Sequence, residues 1–324
     1  MKRTDLATLI GVAALWGASY LFIRMGAGQF GAVPLAGARA ALAALLLAPV
    51  LALRDRQGLR DLRKHWKPIA LAGITNSALP FVLFSFAALT IPAGQSSMFT
   101  AATPLFTAVI ARFWLSEKLD GMRIAGLAVG FAGVLWLVWD KAGFGHSGHG
   151  AHDAHAHATT LAIGACLCAT LLYSFSANLS KRYLDNVSPL AIATGGQIVS
   201  AIVLAIPAAV LWPATSPAPR AWAALFVLAL ACTAFAYVLF LRLIARVGPG
   251  RAMTALFLIP AFGVLWGALF LGETLTLTMI AGCGIVLIGT ALTTGVLRTS
   301  FRKPTTAKPR TLRNDQPTCP ASGT

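Results

Sequence analysis

Charge is scarce in this chain, and negative charge scarcest. Of 324 residues only 11% are Asp, Glu, Lys or Arg, and just 10 are acidic. An ordinary soluble domain carries about a quarter charged residues. At 57% hydrophobic content, a soluble protein of this size would have apolar surface it could not cover. The same figure excludes a disordered chain, which needs low hydrophobicity. Cysteine is sparse and odd in number: Cys166, Cys168, Cys232, Cys283 and Cys319, with no Cys-x-x-Cys. That pattern speaks against a disulfide framework or a structural zinc site. His-Glu-x-x-His and Gly-x-Ser-x-Gly are missing, and no carboxylate cluster replaces them. The expectation is therefore no enzyme activity and no cofactor.

What the chain has instead is long apolar runs. A membrane span needs about 20 mostly apolar residues. Ten segments meet that length, near 5–24, 33–53, 67–90, 93–115, 120–140, 158–181, 188–212, 220–242, 247–271 and 274–297. In lipid each backbone group needs a partner within its own segment, so these runs read as helices rather than strands. The short break Ser116-Glu117-Lys118-Leu119-Asp120 makes the fourth and fifth segments antiparallel neighbours. The first run, Leu6 to Ile23, is too long for the apolar part of a signal peptide and reads as a retained span.

Basic residues set the expected orientation. With the N-terminus inside, all but Arg24, Arg39, Lys141 and Arg220 of the 26 Lys and Arg fall on the cytoplasmic side. Of the acids, only Asp140, Asp153 and Glu273 fall outside. The net charge of +16 thus reads as a topology signal rather than a nucleic-acid footprint. It predicts a multi-pass protein of the cell (inner) membrane with both termini cytoplasmic. The lipid bilayer and a small-molecule substrate are the expected partners, with nucleic acid excluded and a homo-oligomer allowed.

The chain also matches itself. At an offset of 156, Gly94 pairs with Gly250, Pro104 with Pro260, Glu117 with Glu273, Gly126 with Gly282 and Gly133 with Gly289. Each copy holds five spans. Because five is odd, the second copy enters from the opposite side, the inverted-topology design of secondary transporters. The expected fold is an all-α integral membrane protein of ten transmembrane helices in two inverted five-helix repeats. Residues 1–145 form the first repeat, 146–157 a His-rich external linker, 158–297 the second repeat and 298–324 a disordered basic cytoplasmic tail.

These residues resemble a known family. Trp16-Gly17-Ala18-Ser19-Tyr20 is similar to the Trp-Gly-x-x-aromatic start of EamA-type drug/metabolite transporters. Pro34 followed by Arg39 looks like that family's second-span signature. Glu117-Lys118-Leu119 with Gly126, Gly130 and Gly133 resembles its Glu-x-Leu…Gly…Gly element, repeated at Glu273-Thr274-Leu275. The resemblance implies a ten-helix carrier of small metabolites, often an exporter of amino acids or related compounds. The second half departs from it: it lacks the Trp-Gly start, and Gln197 falls near where the first half has Arg39.

Candidate site residues follow from polarity inside spans. Arg39 is the one basic residue well inside a segment, where its guanidinium can bind a substrate carboxylate or an internal partner. Trp16, Tyr20 and Arg24 share a face of the first helix, beside Ser19, and offer either an aromatic lining or plain packing. Ser96, Thr100, Thr103 and Thr107 share a face of the fourth, as cavity lining or as hydroxyls bonded back to their own helix. Asn178, Gln197 and Tyr237 are further candidates. Pro104 and Pro260 predict paired helix interruptions that free the carbonyls of Thr100 and Leu256. Glu117 and Glu273, at helix ends, read as gates, caps or ion-pair members. His146, His149, His152, His155 and His157 form a metal-affine run. The alternative function, a divalent-metal transporter, rests on that run.

Overall fold

The computed structural model describes residues 2–141, 151–274 and 276–294. Among them the chain is helical, without a strand. The apolar helices, in chain order, are α1 (Arg3–Phe30), α2 (Ala32–Arg54), α3 (Trp66–Ala87), α4 (residues 93–114) and α5 (Gly121–Lys141). Then come α6 (Ala151–Tyr183), α7 (Pro189–Val210), α8 (Pro219–Val247), α9 (Ala255–Leu271) and α10 (Leu277–Thr294). Eight of these are long and apolar enough to cross a membrane. The other two, α4 and α9, differ from the expected unbroken spans.

In α4 the helix Ala93–Phe99 gives way to a 3-10 turn, Thr100–Ala102, before resuming as Thr103–Trp114. The cause is Pro104, which has no N–H for the Thr100 carbonyl. That carbonyl instead accepts from the Thr103 hydroxyl at 2.7 Å. The Ala101 carbonyl accepts from Thr290 of α10 at 2.9 Å. The second predicted interruption differs in form. Pro260 sits inside α9, and that helix is short because a single turn, Pro249–Ala252, precedes it. The helix α6 begins at Ala151, so residues 151–157, expected in the linker, are helical. His146, His149 and the tail 298–324 lie outside the described residues.

Helix starts follow local chemistry. Ser188 accepts from the Ala191 N–H and Pro189 opens α7, where its missing N–H costs nothing. Pro219 opens α8 in the same way. Packing is symmetric under exchange of the halves: α2 lies on α7, α4 on α9, and α5 on α10, each helix against its own sequence counterpart. The cross-contacts mirror each other too, with α1 against α8 and α9, and α6 against α3 and α4. One apolar core gathers Tyr20, Leu35, Phe84, Phe99, Leu105, Val134, Cys166, Leu225, Ile259 and Val286. The close approach of α5 and α10 depends on glycine: a Cβ at Gly289 would stand 2.3 Å from the Gly130 backbone nitrogen. Such contacts replace a hydrophobic driving force that lipid does not supply.

Gly289→Ala is expected to force these backbones apart and lower stability by about 1–3 kcal/mol. A thermal melt of the purified protein checks this, and an unchanged melting temperature would contradict the close packing.

Candidate functional site

Besides the 3-10 turn of α4, two helices depart from α geometry inside the bundle, at equivalent places. Ile74–Ala78 in α3 and Leu230–Phe235 in α8 are π-helical, and they align at the same offset of 156 as Pro104 and Pro260. A π segment shifts the following side chains around the helix and frees carbonyls, and it often marks a functional site. Here the freed carbonyls have partners. Gly73 accepts from Ser200 of α7 at 3.1 Å, and Ala72 from Ser176 of α6 at 3.4 Å. Leu228 accepts from the Thr233 hydroxyl at 2.8 Å.

The two π segments carry Asn76, Ser77 and Thr233, each bonded to a polar group of another helix. Arg39 is buried, and its Nε donates to Thr233 Oγ1 at 2.9 Å. Its guanidinium carbon stands 3.8 Å from the centroid of the Phe81 ring, a cation–π contact. Tyr20, Tyr173, Tyr237 and Cys232 lie around it. Among the described residues no carboxylate lies within ion-pair distance of Arg39 and its two amino groups donate to no protein atom. Asn76 donates to the Tyr237 hydroxyl at 3.2 Å. Gln197 donates through Nε2 to Ser77 at 3.0 Å, while its carbonyl oxygen is buried without a partner, as is the hydroxyl of neighbouring Thr194. The cluster thus draws on both halves: α1, α2 and α3 from the first, α6, α7 and α8 from the second.

The remaining candidates divide. Tyr20 belongs to the cluster and packs edge-on against Phe84. Ser19 is buried nearby, back-bonding to Leu15 at 3.5 Å. Trp16 packs on Tyr237 and Phe240 of α8. The hydroxyls of Ser96, Thr100, Thr103 and Thr107 all donate to carbonyls of their own helix. The same helix meets α6 along a polar seam. Thr170 donates to the Phe99 carbonyl, Ser174 to that of Thr103, and Asn178 to that of Thr107. Asn178 is therefore a helix-to-helix tie. Arg24 ties α1 to the end of α3 by donating to the Ala88 carbonyl. His157 is exposed, and among the described residues no group of three or more His, Cys, Asp or Glu is placed to hold a metal.

Glu117 and Glu273 share a backbone and differ in partners. Each N–H donates to the carbonyl six residues back, Ala111 and Gly267, at 3.2 Å. Each follows a residue of positive φ: Ser116 at 56° and Gly272 at 63°. Glu273 then caps α4, accepting from the Ala93 N–H at 2.6 Å and the Gly94 N–H at 2.9 Å. A carboxylate suits that position, where unpaired N–H groups and the helix dipole concentrate positive charge. Gly267 makes room for it, since a Cβ there would lie too close to the Glu273 carboxylate. Glu117 instead pairs with Lys181 of α6.

Asn76, Ser77, Phe81 and Thr233 escape a reading by periodicity. The available signal was the run Thr75-Asn76-Ser77 in an apolar segment, aligned by the repeat with Cys232 and Thr233.

Comparison with known proteins bears on the whole chain. The sequence model of the EamA-like transporter family matches residues 4–139 and again 160–295. A "Probable amino-acid metabolite efflux pump" of Escherichia coli K12 is 27% identical over 94% of this chain and 98% of its own length. A "Probable terminal-alkyne amino-acid exporter" of Streptantibioticus cattleyicolor is 27% identical, over 82% of this chain and 84% of that one. A solved crystal structure of 19% identity superposes with a TM-score of 0.62, covering 91% of this chain and 99% of the other. That last likeness concerns the fold alone.

Glu273→Gln keeps one acceptor but loses the charge, which should weaken the cap by about 1–2 kcal/mol. Hydrogen exchange at the Ala93 and Gly94 amides is expected to accelerate roughly tenfold, while Glu117→Gln leaves it unchanged. Equal protection in wild type and Glu273→Gln would show that the cap contributes nothing.

Proposed function

The chain belongs to the EamA-like transporter family, and from that premise we propose that it is a secondary carrier exporting small carboxylate-bearing metabolites, amino acids or compounds related to them. The protein is a multi-pass membrane protein. The observation that carries the substrate reading is Arg39. A guanidinium inside a span costs roughly 2.5–3.5 kcal/mol on insertion scales, and here no carboxylate among the described residues offsets it. Thr233 holds Nε from the opposite half and the guanidinium sits over the Phe81 ring, so the fork is oriented with its two amino groups unspent. A carboxylate takes such a fork bidentately. Tyr20 and Tyr173 lie near it, both packed on Phe84, and these rings suit the apolar body of an amino-acid-like molecule. The names of the E. coli and Streptantibioticus relatives, both exporters of amino-acid compounds, agree with this reading.

Transport proceeds by alternating access between two inverted repeats of five spans, with α4 and α9 counted as spans and both termini cytoplasmic. In this scheme the Glu273 cap on α4 closes the outer end. The opposite shape exchanges the roles: Glu117 leaves Lys181 and turns toward the start of the Pro249–Ala252 turn. The second closure is the weaker. Pro249, the counterpart of Ala93, has no N–H to donate, and Ala111 stands where Gly267 makes room. The carrier accordingly rests with its outer end closed.

The substrate class is found by challenging overexpressing cells with toxic amino acids, analogues and metals, then measuring flux in proteoliposomes. Arg39→Ala should abolish flux, and Arg39→Lys should retain less than a tenth of it, because an ammonium cannot reproduce the fork. Thr233→Val, which removes the Nε acceptor but no charge, should reduce flux roughly tenfold, the cost of one hydrogen bond to a charged group. Full flux in both Arg39 variants would refute the assignment.

A further inference from the structure

A short helix, Arg56–Lys64, joins α2 to α3, and its charges are sorted by sign. Both of its neighbouring acids are turned into the protein. Asp55 accepts from the Gly58 N–H at 2.7 Å and from the Ser188 hydroxyl. Asp61 accepts from the Ser188 N–H at 3.0 Å and from Gln57 at 3.0 Å. Leu59 and Leu62 pack inward on the cluster of Leu51, Ile69, Leu179, Leu184 and Val187. Every basic side chain of the segment faces the other way: Arg54, Arg56, Arg60, Arg63, Lys64 and Lys67 are all exposed. At the flanks Leu53 is 85% exposed and Trp66 60% exposed. The segment connects two membrane-length helices, so it lies at the membrane surface whichever way the chain is oriented.

We propose that this helix is a binding face for anionic phospholipid headgroups, with Trp66 and Leu53 seated at the headgroup–acyl boundary. The chemistry is one-sided. Clustered Lys and Arg beside a span attract anionic lipid, and a tryptophan ring favours the interface. The acids that would neutralise the face are instead spent on Ser188, the residue that caps α7. Topology alone requires basic residues near the ends of spans; it does not require the acids to be sequestered. Through Ser188 the lipid-bound helix of the first half is pinned to α7 of the second, the helix that carries Gln197. The inference is independent of the proposed substrate.

The test uses the purified full-length chain in a neutral detergent, with thermal stability followed as short-chain phosphatidylglycerol is added. The triple variant Arg56→Gln/Arg60→Gln/Arg63→Gln should bind this lipid on the order of 100-fold more weakly, about fivefold per arginine. The corresponding triple lysine variant should bind like wild type, because point charges suffice. A control of equal charge, Arg112→Gln/Arg242→Gln/Arg251→Gln, should lose less than fivefold. Three results would overturn the proposal: an equal loss in the control, equal stabilisation by phosphatidylcholine, or full stabilisation by inorganic phosphate alone. If the triple glutamine variant fails to fold, Arg60→Gln alone decides, and an unchanged phosphatidylglycerol affinity in it would also overturn the proposal.

Discussion

Hydrocarbon offers the backbone no hydrogen-bond partner, so each break in a membrane helix must be repaired by a side chain or by another helix. Several of the polar residues inside this bundle make such repairs. The π segments of α3 and α8 free carbonyls that Ser176, Ser200 and Thr233 take up. The Pro104 break in α4 is closed by Thr103 and Thr290. The start of α4 is capped by Glu273. The two π segments fall at equivalent places in the two halves, and the second brings Thr233 to Arg39. The candidate site is therefore located by the same constraint that holds the helices together: polar groups can gather in lipid only where a broken helix already requires them.

Arg39 stands apart from this economy, because it repairs no break. Its Nε bond to Thr233 and its place over Phe81 orient a charge without neutralising it. Burying an unpaired charge is costly, and a fold selected for stability alone would have no use for it. The few acids lie elsewhere. Glu117 and Glu273 work at helix ends, while Asp55 and Asp61 fasten the basic helix to Ser188. Each of these four carboxylates ties two distant segments of the chain together.

The halves share their π segments and the turns before Glu117 and Glu273 but differ in chemistry. Ser77 faces Thr233 in the repeat, Asn76 faces Cys232, and Phe81 faces Tyr237. The same backbone turn that aims Glu273 at two free N–H groups aims Glu117 at Lys181. Symmetry thus supplies matching backbone turns in the two halves, and the side chains give each turn a different partner.

Apolar run length and the duplicated Gly, Pro and Glu determined the helical membrane class and the two repeats, because the bilayer acts on composition and spacing directly; the family followed from resemblance in motifs such as Trp16-Gly17 and Glu117-Lys118-Leu119. The same reading singled out Arg39, since a charge within a span is conspicuous. It placed the paired interruptions at Pro104 and Pro260, where only the first proved to break its helix. It left the hydroxyl stripe of α4 open between cavity lining and back-bonding, and in the structure those hydroxyls donate to their own helix. Only the tertiary structure decided that π segments exist in α3 and α8 and that Asn76, Ser77 and Thr233 join Arg39. It also decided that Asn178 is a tie between helices and that Glu273 caps a helix 180 residues earlier in the chain. The physical reason is that a π turn or a remote cap is stable only when a neighbouring helix completes its hydrogen bonds, and the hydropathy pattern of a single segment carries no trace of that neighbour.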